Sequence, residues 1–253
     1  MELSLITSNI RFENDQDGPN NWTHRKNVWS KIIKNFQPDI LCTQEGRKEQ
    51  IYEASKQSNL KIIDSHRDWI KERMYPTIFI NPDKINIIKS GDFWLSETPS
   101  IPGSKSFKSA FPRLCTWAKV KKSDAELFIF NCHLDHILPE TRLRQSNVLL
   151  NEIRKVNLKN ECLIITGDFN ESPSEEVRKN IVSQIDVFDP IELGFEVDQG
   201  THHRFDGDNS GSTRIDWILA HKSLKCHAYK IIKENKNGKF PSDHFPVYGR
   251  FST

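Results

Sequence analysis

The feature that most constrains the fold is a repeated order of apolar strand, amphipathic helix and second apolar strand. In its first copy, residues 3–10 (LSLITSNI) read as a strand, and residues 24–36 (HRKNVWSKIIKNF) carry apolar side chains at helical spacing before Pro38 breaks the pattern. Residues 39–45 (DILCTQE) then read as a buried strand. Because two strands joined through a helix of this length are usually parallel neighbours, the pattern predicts a parallel pair with the helix as crossover.

The same order returns in the second half, where a helical pattern at 139–156 precedes the strand ECLIITGDFN. Between the two copies, and after the second, further short strands are predicted: TIFI, INIIKSGDFWL, LCTWAKVKK, ELFIFNCHL, STRIDWILA, CHAYKII and FPVYGRF. A short helix is expected near 173–183. The sequence therefore predicts one α/β domain over residues 1–253, a four-layer α/β sandwich with two mixed β-sheets packed face to face and helices outside.

Composition limits the partners and the compartment. The 36 basic and 34 acidic residues nearly cancel, unlike the basic excess of a protein that binds duplexes by charge alone. Five cysteines without CxxC spacing favour a reducing compartment, and no apolar run approaches the 18 residues of a membrane span. The opening MELSLITSNI has no signal-peptide pattern, so we expect a cytoplasmic monomer; secretion would require a signal peptide that had already been removed.

Polar groups stand at the ends of the predicted strands. They are Asn9, Glu45, His133, Asp168, Asn170, Asp216, Asp243 and His244. At any single position the simplest interpretation is a turn, since Asn and Asp are ordinary turn residues. Glu and His are not turn formers, however, and a sandwich brings the same ends of many strands to one rim. Carboxylates gathered and partly desolvated there would need a cation or hydrogen bonds to compensate them.

The types of donor atom indicate which cation a site of this composition would bind. Oxygen ligands from Glu45, Asp168, Asn170 and Asp243 suit Mg²⁺, Mn²⁺ or Ca²⁺, whereas a zinc site would require more His and Cys. Magnesium usually takes only one or two carboxylates and keeps several waters. The remaining polar groups are then free to hold a phosphate and to orient a nucleophile.

Six ordered motifs extend this hypothesis to a family. TSNIR, TQE, NCHLDH, GDFN, RIDWI and SDHFPV span nearly the whole chain and resemble the endonuclease/exonuclease/phosphatase superfamily, which includes pancreatic deoxyribonuclease, deadenylases and inositol polyphosphate 5-phosphatases. The segments GDFWLSETPSIPGS, PRLCTWA and HLDH followed by RLRQ are similar to a mainly bacterial branch of it. The resemblance implies a four-layer α/β sandwich and cleavage of phosphate esters with Mg²⁺ or Mn²⁺, Ca²⁺ being a further alternative.

The resemblance also implies roles for individual residues. Metal binding falls to Asn9, Glu45 and Asp243. Catalysis and phosphate contact fall to His133, Asp168, Asn170, Asp216 and His244, with Asp168 and Asn170 acting on the attacking water and Asp216 orienting His244. Looser matches place Glu72 and Arg113 near the substrate. General acid and base are not assigned separately, and one-metal and two-metal schemes both stay open.

Four further assignments have alternatives. Asp135 and His136 either line the substrate pocket or cap the following helix, and His203 is either a substrate-binding residue or a surface histidine of a polar loop. HLDH also resembles part of a zinc motif of metallo-β-lactamase-like hydrolases, but Asn131 stands where that motif has its first histidine. Trp94 and Trp117 either stack a base or belong to the core, as most strand tryptophans do.

The favoured function is a divalent-metal-dependent phosphodiesterase or nuclease that hydrolyses a P–O bond by in-line attack of water. The alternative is a phosphatase acting on a small-molecule, inositol or lipid phosphate, and the third class is a non-catalytic binding module with the same fold. The expected partner is a phosphate ester, with single-stranded nucleic acid or a nucleotide as candidates, because the near-neutral charge does not suit a long duplex grip.

Overall fold

The computed structural model describes residues 1–253, with twelve strands and four α-helices. The strands are β1 (Glu2–Asn9), β2 (Ile40–Gln44), β3 (Lys61–Ile62), β4 (Thr77–Ile80), β5 (Asn86–Trp94), β6 (Leu114–Lys122), β7 (Ala125–His133), β8 (Leu163–Asp168), β9 (Val187–Phe188), β10 (Asp216–His221), β11 (Lys225–Ile231) and β12 (Val247–Ser252). The helices are α1 (Trp22–Phe36), α2 (Lys48–Ser58), α3 (Pro139–Val156) and α4 (Glu176–Gln184), with short 3-10 helices at Asp15–Asn20 and Pro190–Leu193.

The strands form two six-stranded sheets, ordered β11-β12-β1-β2-β4-β3 and β5-β6-β7-β8-β10-β9. Each sheet contains one parallel pair, β1 with β2 and β7 with β8, and the remaining pairs are antiparallel. Helix α1 follows β1 and precedes β2, just as α3 lies between β7 and β8. The predicted sandwich of two mixed sheets, with a helix crossover in each half, is confirmed.

Three apolar clusters hold the layers together. The central one lies between the sheets and includes Leu5, Cys42, Ile129 and Ile164. The outer ones bury one face of α1 and α2 against the first sheet and one face of α3 and α4 against the second. Trp94 and Trp117, only 5% and 6% exposed, belong to the outer clusters, so neither is free to stack a base. No helix is both long enough and apolar enough to cross a membrane.

Helix α2 is the main element that the sequence pattern did not predict. Its sequence, KEQIYEASKQS, is mostly polar, and the only apolar side chains that it buries are Ile51 and Ala54. Its N-cap residue, Arg47, makes no side-chain capping hydrogen bond, so the usual N-terminal capping signal of a helix is missing as well. Packing against α1 and the first sheet supplies what the local periodicity lacks, as is common for short helices.

The sheet register brings the site residues to one edge of the sandwich. Asn9 ends β1 opposite Gln44 of β2, and His133 ends β7 opposite Asp168 of β8. Asp216, the first residue of β10, pairs with Asp168 from the other side. The carboxyl ends of both parallel pairs therefore meet at the same rim, where α/β sheets commonly place their sites.

Two amide side chains join the sheets directly beneath this rim. Gln44 Nε2 donates to Asn131 Oδ1 at 2.7 Å and to Thr7 Oγ1 at 3.0 Å. Asn131 Nδ2 in turn donates to the backbone oxygens of Thr43 and Thr77 at 2.9 and 3.0 Å. Because all five residues are fully buried, these bonds fix the separation of the two sheets where the site begins.

We predict that Gly167→Ala destabilises the fold severely. Gly167 has φ of +140°, and an added Cβ would lie 1.9 Å from the backbone oxygen of Cys132 in the neighbouring strand. The expected loss is more than about 3 kcal/mol in the free energy of unfolding, measured in urea. Gly194→Ala is the matched control: its φ is +75° but nothing lies within 4 Å, so only backbone strain of about 1–2 kcal/mol applies. Equal losses for the two variants would contradict this account.

Candidate active site

Two carboxylates from different sheets meet on a single amide. Asn9 Nδ2 donates to Glu45 Oε1 at 3.1 Å and to Asp168 Oδ2 at 2.9 Å. The backbone N–H of Phe12 lies 3.3 Å from Glu45 Oε2. Glu45 has a left-handed backbone with φ of +67°, a conformation that is costly for a non-glycine residue and that turns its side chain away from the line of β2. Strain of this kind is typical of functional positions.

Asp168 and Asn170 form a tight unit after β8. The backbone N–H of Asn170 donates to Asp168 Oδ1 at 2.9 Å, and Asn170 Nδ2 donates to the backbone oxygen of Leu134 at 3.0 Å. Asn170 is also left-handed, with φ of +51°. Burial and, next, the nearby carboxylate of Asp216 raise the pKa of Asp168 from 3.8 to about 7. A buried carboxyl with this pKa is suited to accept a proton near neutral pH.

The two histidines of the site differ in charge. His133 lies 3.4 Å from Asp168 through Nε2, but burial and the guanidinium of Arg113 hold its pKa well below the usual value, so it is neutral. His244 donates from Nδ1 to Asp216 Oδ2 at 2.9 Å. Burial alone would lower the pKa of His244, but the Asp216 carboxylate outweighs burial and raises it well above 6.5. His244 is therefore an imidazolium at neutral pH.

Arg113 is a buried cation without a carboxylate partner. It is only 6% exposed, Nη1 lies 3.0 Å from both ring nitrogens of His133, and Nη2 lies 3.2 Å from Nδ1 of His136. It takes part in no salt bridge, and its Nε has no hydrogen-bond partner. Because a buried guanidinium is costly unless it is compensated, this arrangement indicates a binding position for an anion.

These groups line one cleft of about 460 Å³. Its lining consists of Arg11, Phe12, Glu45, Met74, Phe111, Arg113, His133, His136, Asp168, Asn170, His202, Arg204, Ile215, Asp243 and His244. Asn9 and Asp216 stand behind this surface and hold its members through the hydrogen bonds described above. The cleft combines acidic groups that can bind a cation with basic groups that can bind an anion.

The acidic groups fit a divalent metal. Donor atoms of Glu45, His133 and Asp168 lie within 4.8 Å of one another, and the same is true of His202, Asp243 and His244. The pKa of Asp168 is raised chiefly by burial, then by the Asp216 carboxylate, and to a smaller extent by Glu45. A cation bound near Glu45 and Asp168 would offset the repulsion between these carboxylates.

Three residues predicted to bind substrate do not line the cleft. Glu72 lies in a neighbouring cleft with a side chain that is 74% exposed. Asp135 is fully buried and accepts the backbone N–H groups of Ala110, Ile137 and Leu138, so its carboxylate supports the start of α3. Because its carboxylate is engaged in this way, Asp135 is not available as a ligand in the zinc interpretation of HLDH. His203 is buried and stacked on Phe245 at 3.9 Å. Substrate roles for these three stay predictions without support from the cleft geometry.

His136 and His202, the neighbours of Asp135 and His203 along the chain, line the cleft instead. His136 stacks on Phe111 at 5.8 Å, and His202 lies with its ring 4.8 Å from that of His244. His202 and His244 also form an isolated antiparallel bridge, in which consecutive side chains point to opposite sides. The sequence of residues 201–205 (THHRF) offers two histidines, and only this local pairing decides which of them faces the cleft. Arg11 and Ile215 stand inside the motifs TSNIR and RIDWI, although the resemblance gave them no role, whereas Phe12, Met74 and Arg204 had no comparable signal.

Comparison with known proteins agrees with this geometry. The model of the endonuclease/exonuclease/phosphatase family matches residues 6–244. The chain belongs to this family. Its members are hydrolases that act on phosphoesters and use divalent metals.

Several family members with solved structures are similar over their full length. A family protein from Bacteroides thetaiotaomicron has a TM-score of 0.90 at 28% identity, covering 99% of this chain and 97% of that one. A mannosyl-6-phosphatase from the same organism gives the same TM-score and identity, covering 99% and 100%. The 3'-5'-exoribonuclease subunit Ccr4 of the CCR4-Not complex of Candida albicans is 24% identical across 91% of this chain, which spans only 37% of that protein.

We predict that Asp168 gives the metal-free protein a distinctive pH dependence. Because its folded-state pKa is raised, its contribution to stability is fully present below the unfolded pKa, near 4, and is lost as the pH rises towards 7. With a chelator present, the wild type should lose this contribution between about pH 4 and pH 7, whereas Asp168→Asn has no such contribution to lose. The free energy of unfolding of the variant, relative to that of the wild type, should therefore rise over this range. Urea unfolding at several pH values measures this difference.

Asp92→Asn is the control for this experiment. Burial alone would raise the pKa of Asp92, but its contacts with His66 and Arg67 outweigh burial and lower it. Its contribution to stability is therefore present above pH 4 and is lost only as the pH falls below that value. A profile for Asp168→Asn that runs parallel to the wild type between pH 4 and 7 would contradict the raised pKa of Asp168.

Proposed function

We propose that this protein is a divalent-metal-dependent phosphatase. It would hydrolyse the phosphate monoester of a small hydroxylated molecule and release inorganic phosphate. The observation that carries this proposal is the buried, carboxylate-free guanidinium of Arg113 facing the same cleft as the Glu45, His133 and Asp168 donor set. A cation site beside a preformed anion site is the arrangement that phosphate-ester hydrolysis requires.

The residues of the cleft have different roles in the proposed reaction: proton transfer, phosphate binding and stabilisation of developing charge. Asp168, with its raised pKa, accepts the proton of the attacking water, and Asn170 is placed beside it to orient that water or a phosphate oxygen. Arg113 and neutral His133 donate hydrogen bonds to the phosphate. His244, kept protonated by Asp216, stabilises the charge that develops on the phosphoryl or leaving oxygen.

Glu45 would hold the metal, with Asn9 supporting its carboxylate and Asp243 as a second acidic group of the cleft lining. When bound, a divalent ion neutralises phosphate charge and lowers the pKa of coordinated water. The oxygen-rich donor set fits Mg²⁺ or Mn²⁺ best, and Ca²⁺ shares the same ligand chemistry.

The charge balance of the cleft favours a monoester, which is a dianion, over a diester, which carries one charge. Arg11, Arg113, Arg204 and protonated His244 face three acidic side chains, and a bound divalent metal would add two further positive charges. The anion position is also closed on its inner side, because Arg113 and His133 are 6% and 4% exposed. The mannosyl-6-phosphatase relative supports a small substrate such as a sugar phosphate.

A phosphodiesterase or nuclease is the second candidate. The exoribonuclease relative favours it, and two rings that line the cleft, Phe12 and the 46%-exposed Phe111, are available to stack on a base. In this case the partner would be a short single strand or a nucleotide.

We predict that Arg113→Met separates the two candidates. Loss of a charge-assisted contact to a dianion should lower kcat/KM for p-nitrophenyl phosphate by roughly a hundredfold or more, and that for bis(p-nitrophenyl) phosphate by less than about tenfold. Arg154→Met, on the exposed face of α3, serves as the control. A wild-type protein that hydrolyses diesters, RNA or single-stranded DNA faster than any monoester, with equal losses in Arg113→Met, would favour the second candidate.

We also predict that Asp168→Ala and His244→Ala lower kcat by about two to four orders of magnitude while the protein stays folded, because each removes a group that acts on the reacting atoms. Activity with Mg²⁺ or Mn²⁺ should disappear in EDTA and return when excess metal is added. Full activity in either variant, shown to be folded by circular dichroism, would remove that residue from the proposed mechanism.

A further inference from the structure

Arg25, in the first turn of α1, is a buried cation with no acidic partner. Its exposure is 0%, and it forms no salt bridge. All its hydrogen bonds go to backbone oxygens: Nε to Asn20 at 2.8 Å, Nη1 to Ile10 at 2.5 Å and to Pro241 at 2.8 Å, and Nη2 to Arg11 at 2.5 Å. Burial lowers its pKa to about 10, so Arg25 remains charged at neutral pH.

The oxygens that Arg25 binds flank two parts of the active site. Ile10 and Arg11 directly follow Asn9, the amide that bridges Glu45 and Asp168. Pro241 precedes the Ser242, Asp243 and His244 segment. Strands β1 and β12 are paired as far as Thr7 and Val247, and beyond that pair the two segments continue as loops. A single planar group therefore bridges the loop behind Asn9 and the loop before His244.

The shape of the guanidinium suits this task. Its five N–H donors lie in one rigid plane, so they fix the relative positions of acceptors on different segments, whereas a lysine ammonium is a flexible point charge. The ring of Trp22 lies 5.2 Å from the guanidinium and that of Phe205, beside Arg204 of the cleft, lies 5.7 Å away. Arg25 thus contacts a third segment that reaches the cleft.

Three of the four other buried arginines have acidic partners, and the fourth, Arg113, faces the cleft. Arg67 pairs with Asp92, Arg142 with Glu171, and Arg214 with Asp189. Arg25 has no such partner, although burying a charge without one is expensive. The carbonyl groups that compensate it belong to the loops of the active site, and this is the observation that separates it from the others.

We propose that Arg25 is a positioning residue, which sets the distance between Asn9 with its two carboxylates and the Asp243–His244 pair. It touches neither substrate nor metal. A misplacement of about 1 Å in either loop is enough to lower a rate by about a hundredfold, so removal of Arg25 should act on turnover more than on substrate binding.

The test compares Arg25→Lys, Arg25→Ala and the control Arg67→Lys, which removes a buried arginine (8% exposed, against 0% for Arg25) that binds Asp92, Thr77, Thr116 and the backbone oxygen of Pro76 instead of these loops. We expect kcat per folded Arg25→Lys to fall by about a hundredfold with KM changed less than about threefold, and Arg67→Lys to lose stability but keep kcat. Methylguanidinium, which can occupy the cavity left in Arg25→Ala, should restore at least about a tenth of the lost turnover.

A second readout is independent of turnover. The Nδ1–H proton of His244, hydrogen-bonded to Asp216, gives a downfield NMR signal that should shift or broaden in both Arg25 variants and stay unchanged in Arg67→Lys. The kinetic part rests on the proposed phosphatase function, whereas the NMR part does not. A wild type that is inactive on every phosphate ester would therefore refute the function and leave the positioning role to the NMR comparison.

Two results would overturn the inference. One is an Arg25→Lys protein with an unchanged His244 signal and a kcat, where there is activity to measure, within about threefold of the wild type. The other is failure of both Arg25 variants to fold even with methylguanidinium, because Arg25 would then support the fold as a whole and not the spacing of the two loops.

Discussion

The bond pair from Asn9 to Glu45 and Asp168 is the constraint on which the rest of the site depends. The two carboxylates stand at the ends of strands of different sheets, and the amide of Asn9 donates to both, which offsets part of their repulsion at the rim. Their separation depends in turn on the buried Gln44–Asn131 contact beneath them. The sandwich therefore holds two acidic groups, one from each sheet, at positions where they could bind a metal ion.

Residues of the same type around this centre differ in their charge state or in their charged partners. His133 and His244 are both buried histidines, yet the first faces a guanidinium and is neutral, while the second faces Asp216 and is protonated. In the same way Arg113 has no carboxylate partner and faces the cleft, whereas Arg67 is compensated by Asp92. Neighbouring groups, more than burial, decide which of these side chains are available for chemistry.

The positions of the helices and most strands followed from periodicity, because one apolar face or one apolar run is needed to cover each side of a sheet. Helix α2 was missed since its polar sequence buries so little, and tertiary packing alone stabilises it. Among the site residues, the charged groups at strand ends were predicted together and are found at one rim. Glu72, Asp135 and His203 were grouped with them and lie elsewhere, because a loop sequence does not specify the direction of a side chain.

By itself the sequence determined the two-sheet sandwich and the cluster of strand-end polar groups through the order of its strands and helices, and it determined the family through the resemblance of six ordered motifs. Only the tertiary structure decided that His136 and His202 face the cleft, that Arg113 lacks a counter-charge, and that Arg25 binds the carbonyls of two active-site loops. These facts depend on distances between segments remote along the chain. Local sequence patterns carry no information on such distances.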